Sequence, residues 1–149
     1  MSLEDFCKEN NLDKRFPYSE SNIDTLLDFA DMAAYEEKWD VLESIASRII
    51  ELDSENEDGL FYKGQSIHAL DENNKDALEY YDKVISIGGD RAFLACWGKS
   101  VIHCNVGEFE NALDCCRKLE NIAPDSDQIQ ELKEKILFRL NDHNLLRKS

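Results

Sequence analysis

The sequence predicts an all-α chain made of three successive helix hairpins and one closing helix. Three observations carry that reading. Apolar residues recur at helical spacing in consecutive segments from Ile23 to Leu140. Helix breakers are scarce, with six glycines and two prolines in 149 residues, and 42 % of the chain is hydrophobic, which fits a folded, helix-rich domain. The block Gly107–Ser126, GEFENALDCCRKLENIAPDS, also recurs in outline twice upstream. It reads as a turn and an amphipathic helix with Ala112, Leu113, Cys116, Leu119 and Ile122 on one stripe, stopped by Pro124.

Residues 1–20 are a leader. LEDFCKENNL suits a short helix, and Pro17 within RFPYSESN forbids its continuation. Phe6, Leu12, Phe16 and Tyr18 give the leader a means of packing on the first hairpin; a free arm is the alternative. Ser21-x-x-Asp24 is a helix start, with an oxygen N-cap and an acid in the first turn. A helix runs from Ile23 to Glu36, with Leu26, Phe29, Ala30 and Ala33 on one stripe, and a second runs from Trp39 to Leu52. The break of about two residues between them is a helix-hairpin connection.

Ser54-x-x-Glu57 repeats the start signal, and Glu57–Leu70 is the third helix. DENNK is a polar turn before the fourth, Asp76–Ile87, which Gly88-Gly89 ends through a left-handed C-terminal residue. Ala92–Val106 and Glu108–Asn121 form the third hairpin. Asp125-x-x-Gln128 starts a closing helix that runs to about Leu140, with Ile129, Leu132, Ile136, Leu137 and Leu140 apolar and Glu131, Lys133, Glu134, Lys135 and Arg139 facing outward. The domain thus covers 21–142, and 143–149 is expected to fray.

The net charge of −15 is uneven: residues 1–60 hold 17 acidic and 5 basic side chains, and 61–149 hold 15 and 12. Nucleic acid is repelled by such a surface, whereas a basic or cationic-amphipathic partner is steered toward it; a plain solubilising surface is the alternative. No apolar run approaches the roughly 20 residues that span a bilayer, so no membrane partner is expected. The acidic N-terminus lacks the apolar stretch of a secretory signal. Five cysteines, at 7, 96, 104, 115 and 116, lack paired spacing, which fits a reducing, cytoplasmic setting.

With Ile23, Glu57 and Phe93 as starts, the repeat intervals are 34 and 36 residues. The two extra residues fit the polar turns, where insertion costs little. A two-helix unit of this length resembles the tetratricopeptide repeat (TPR), whose pattern is W-x2-L-G-x2-Y, then A-x3-F, then P. The small eighth residue is Ala30, Gly64 and Ser100. The small residue near position twenty is Ala77 and Ala112, with Leu42 as a departure that implies a wider crossing; the terminal proline survives only as Pro124. The resemblance covers about residues 23–126, as repeats 23–56, 57–92 and 93–126 with 127–140 as a capping helix. It implies a right-handed α-α superhelix, a TPR solenoid, because a lone repeat cannot bury its apolar faces and stacking must supply the core.

The resemblance also implies a concave groove lined by the first helix of each repeat. Its positions fall on Asp24, Leu27, Asp31, Ala34 and Tyr35, then Asp58, Phe61, Gln65, His68 and Ala69, then Leu94, Trp97, Val101, Cys104 and Asn105. Leu27, Phe61 and Trp97 occupy one position in successive repeats and would form an apolar stripe; Asp24, Asp31 and Asp58 would form an acidic end. Such a groove suits a peptide with apolar and basic residues. Alternatively, Phe61 and Trp97 are core residues under the leader or the closing helix. Relatives that clamp a C-terminal carboxylate use basic residues, whereas the matching positions here are Leu27, Asp31, Tyr62, Leu94 and Gly98. That ligand class is not expected.

Phosphate-binding glycine loops, a nucleophile elbow and a zinc-protease helix are all missing from the sequence. Cys96 and Cys104 lie eight residues apart on one helix, about 12 Å, too far to share a metal ion, so packing is the expected role of the cysteines. The chain is expected not to be an enzyme and to need no cofactor or metal. Its expected function is a protein-interaction scaffold that holds an apolar and basic segment of another protein in the groove. Alternatives are a small acidic secretion-type chaperone that holds a hydrophobic substrate protein, the leader then serving a homodimer, and a structural assembly subunit.

Overall fold

A computed structural model describes residues 2–148, with side chains for 2–147; Met1 and Ser149 lie outside the described residues. Among the described residues there are eight helices and no strand. They are α1 (Leu3–Glu9), α2 (Ile23–Tyr35), α3 (Trp39–Leu52), α4 (Glu57–Leu70), α5 (Asp76–Ile87), α6 (Ala92–Asn105), α7 (Phe109–Ile122) and α8 (Asp127–Lys148). Each of α2 to α8 packs on its neighbours in sequence, and the first helices of successive hairpins also touch, α2 with α4 and α4 with α6.

Local signals explain the element ends. Helices α2, α4 and α8 start at residues 23, 57 and 127 as expected, but their capping side chains lie one or two residues later than Ser21, Ser54 and Asp125. Asn22 accepts a hydrogen bond from the Thr25 amide, Asn56 from the Gly59 amide and Ser126 from the Ile129 amide. The residue directly ahead of the helix is the one whose side-chain oxygen reaches the free amides of the first turn. At the other end of α5, Gly88 takes φ +72° and caps the helix as expected.

The turns within the first and third hairpins are copies of each other. Glu37 and Gly107 both sit at positive φ, +57° and +84°. The Lys38 amide donates to the Ala33 carbonyl at 2.8 Å, and the Glu108 amide donates to the His103 carbonyl at 2.8 Å, 70 residues on. The small-residue positions are also tight. A Cβ on Gly64 would lie 2.9 Å from the Tyr81 ring, and one on Gly98 would lie 2.7 Å from it. Tyr81 of α5 is therefore wedged between α4 and α6. Ser100, buried, donates to the Ala112 carbonyl and so ties α6 to α7.

The core forms two clusters. One joins the leader and α2–α5 through Leu26, Leu42, Ile45, Leu60 and Val84 and takes in Ala95 and Ile102 from α6; the other joins the rest of α6 to α7 and α8 through Ala112, Cys116, Leu119, Ile129 and Ile136. The leader packs on the body rather than standing free. Phe6 and Phe16 are buried and meet the Phe29 ring edge-on, with centroids 6.1 and 5.4 Å away. Tyr18, by contrast, is exposed.

The closing helix is longer than expected. It continues past Leu140 to Lys148, so the stretch from 143 expected to fray is helical through Lys148. No glycine or proline interrupts it after Asp127, and Leu, Lys, Arg and Glu are good helix formers. Its outer face is not purely polar, since Phe138 and Leu145 are exposed there.

Candidate functional site

The first helices α2, α4 and α6 line an open groove of about 680 Å³. Asp31, Ala34 and Tyr35 come from α2; Phe61, Tyr62, Gln65 and His68 from α4; Leu94, Trp97, Gly98 and Val101 from α6. Tyr81 reaches the same space from α5, and Arg91 reaches it from the turn ahead of α6. A second groove of about 620 Å³ shares Leu94, Trp97 and Val101 and continues onto α8 through Gln128, Glu131, Leu132 and Lys135. Trp97 and its two neighbours are therefore a platform common to both.

Eight of the twelve expected site residues meet in this groove: Asp31, Tyr35, Phe61, Gln65, His68, Leu94, Trp97 and Val101. The other four do not line it. Asp24 is exposed on the first turn of α2, and Leu27 is half-buried against the core. Asp58 is held by Arg91, and the Asn105 side-chain amide donates to the Glu72 carbonyl at 3.4 Å. The stripe of Leu27, Phe61 and Trp97 is thus not a continuous exposed one. Phe61 is only 5 % exposed and forms the floor, whereas Trp97 is half-buried and Leu94 is 51 % exposed.

Arg91 explains the burial of Phe61. Its guanidinium lies 4.9 Å from the centroids of both Phe61 and Tyr62. Its Nε donates to an Asp58 carboxylate oxygen at 2.9 Å, and a terminal nitrogen donates to the Tyr62 hydroxyl at 3.3 Å. The Tyr62 hydroxyl in turn donates to Asp31. The expected acidic end is therefore largely engaged by groups of the chain itself. Burial, and then the Asp31 carboxylate, push the Tyr62 phenol above its ordinary range. The Arg91 amide donates to Glu57 at 3.0 Å, which fixes the turn.

Arg91 and Tyr81 escaped a reading based on first-helix spacing because neither lies on a first helix. Tyr81 had one signal, the glycines at 64 and 98 that make room for its ring. Gln65 and His68 are the two polar side chains that α4 brings to the groove. The Gln65 Oε1 atom is buried without a hydrogen bond, and burial keeps His68 below its ordinary pKa and hence neutral near pH 7.

The cysteines lie away from this groove. All five are buried free thiols, and Cys96 donates to the Cys115 carbonyl at 3.5 Å. Among the described residues no group of three or more His, Cys, Asp or Glu side chains is placed to hold a metal ion. No described helix is long and apolar enough to cross a membrane. Comparisons of this chain with protein-family models, with curated proteins and with solved structures find no match.

Proposed function

We propose that this chain is a non-enzymatic protein-interaction scaffold of the tetratricopeptide kind, a right-handed superhelix of three hairpins closed by α8. The recurrence of the same turn hydrogen bonds after 70 residues, and the contacts of α2 with α4 and α4 with α6, support the repeat reading. The ligand is an apolar segment with basic flanks, taken from another protein and held in the groove.

The observation that carries this reading is the open platform of Leu94, Trp97 and Val101 between two adjoining grooves. A half-buried tryptophan in a concave apolar surface is the composition of a binding hot spot. The scaffold reading is favoured over the chaperone reading because Phe6 and Phe16 are spent on the chain's own core. The leader then lacks the free apolar face that a dimerisation arm requires.

The test is affinity capture from native extract with wild type, Trp97→Asp and Leu94→Asp, after circular dichroism shows equal helicity. A partner held by wild type and lost by both variants is the expected result. A partner retained by both places the site elsewhere, on the acidic outer surface or the leader.

A further inference from the structure

The exposed face of α8 matches the ligand class proposed for the groove. Phe138 and Leu145 are 74 % and 67 % exposed and seven residues apart, which places them on one face about 10.5 Å apart along the helix. The opposite face, with Ile129, Leu132 and Ile136, is buried and pins α8 to α7. Charge reverses along this helix. Residues 133–149 carry five basic and two acidic side chains, whereas residues 1–132 carry 12 and 30.

The groove offers the complement. Residues 21–37, which form α2 and its flanks, hold five carboxylates and no basic side chain. Asp24, Asp28 and Asp31 are exposed along α2, and Tyr35 at its end is 91 % exposed. Arg91, which lines the groove from the turn ahead of α6, is already offset by Asp58, and Lys135 lines the adjoining groove that shares the platform. The apolar platform therefore shares its groove with Asp31, which stays exposed while it accepts from Tyr62, and the exposed apolar face of α8 lies on a helix where Lys133 and Arg139 are engaged within the chain but Lys135 and Arg147 are exposed.

We infer that the C-terminal half of α8 from one copy of the chain docks in the groove of a second copy, with Phe138 and Leu145 on the Leu94–Trp97–Val101 platform. This rests on the groove being the binding surface. The occupant is a second copy because α8 is fixed in its own chain by its buried face, with Phe138 turned away. Apolar burial supplies the attraction, and the charge reversal sets orientation and salt dependence.

The test uses a synthetic peptide of residues 133–148 and a full-length Phe138→Glu, Leu145→Glu receptor whose own tail is disabled. Both substitutions fall on exposed positions, so the receptor keeps its fold. Saturable binding is expected, weakened at least about tenfold by Leu94→Asp in the receptor, and weakened again when salt rises from about 0.05 to 0.5 M. Sedimentation of the wild type should show concentration-dependent association that Phe138→Glu and Leu94→Asp each remove. Absence of peptide binding, or binding unchanged by Leu94→Asp, overturns the proposal. If the peptide fails while a captured partner still depends on Leu94, self-docking falls and the groove stands. If capture is also indifferent to Leu94, the groove reading falls with it.

Discussion

The Arg91 guanidinium lies 4.9 Å from the centroid of the Phe61 ring and closes over the floor of the groove. The same side chain ties Asp58 of α4 to the turn ahead of α6. Replacing Arg91 with Ala removes a stacked, charge-assisted contact but leaves Asp58 open to water, so a loss of about 1–2 kcal/mol is expected. Arg91→Lys recovers little of it, because an ammonium lacks the planar fork that spans Asp58 and Tyr62. Urea denaturation of the three proteins measures both effects.

Glu37 holds a left-handed backbone at the place where the third hairpin has Gly107. A side chain costs about 1 kcal/mol in that conformation. Glu37→Gly is therefore expected to stabilise the chain by roughly 0.5–1 kcal/mol, and Gly107→Ala to destabilise it by about as much. Opposite shifts of the denaturation midpoint would establish that the two turns are equivalent. Shifts of the same sign would refute it.

The wedge of Tyr81 between two glycines gives a third expectation. A methyl group on Gly98 meets the Tyr81 ring at 2.7 Å, so Gly98→Ala is expected to cost about 1–3 kcal/mol despite the better helix propensity of alanine. Pairing it with Tyr81→Leu removes the clash, and the double variant should lose less than the sum of the two single losses. Strict additivity would mean that the ring does not set the helix spacing.

His68 makes stability depend on pH. Burial lowers its folded pKa below the unfolded value near 6.5, so between the two values the unfolded chain binds the proton and the folded chain does not. The stabilising contribution is complete above the unfolded pKa and falls as pH drops toward the folded one. A neutral His68→Gln variant should show a flatter stability profile between pH 7.5 and 5.5 than wild type, measured by thermal melts. A parallel profile would remove His68 as the cause.

The helices α2 to α7 were legible because each carries an apolar stripe and is bounded by a polar turn. Their caps were legible only to within two residues, because Ser21-Asn22 and Ser54-Glu55-Asn56 each offer two capping oxygens and only the backbone decides which one faces the free amides. The end of α8 was not legible, since Asn141, Asp142 and Asn144 resemble a loop in composition yet continue the helix. Within the groove, Phe61, Gln65 and His68 on α4 and Leu94, Trp97 and Val101 on α6 stand at positions that the resemblance to the tetratricopeptide repeat implies, whereas Asp58 and Asn105 do not line it. Arg91 stands outside that pattern, and with it went the burial of Phe61, since a turn residue has no periodicity from which its reach is read. Leu27 shows the converse: its spacing matches Trp97, but the core near α2 takes it in.

Trp97 provides the most direct test of the groove itself. The chain has two tryptophans, at 39 and 97, so Trp39→Phe leaves Trp97 as the sole tryptophan emitter. Titrating that variant with the segment of a captured partner should shift the Trp97 emission to the blue as its ring loses water, with a saturation curve matching the binding isotherm. Saturable binding with an unchanged Trp97 spectrum would contradict the groove as the binding surface.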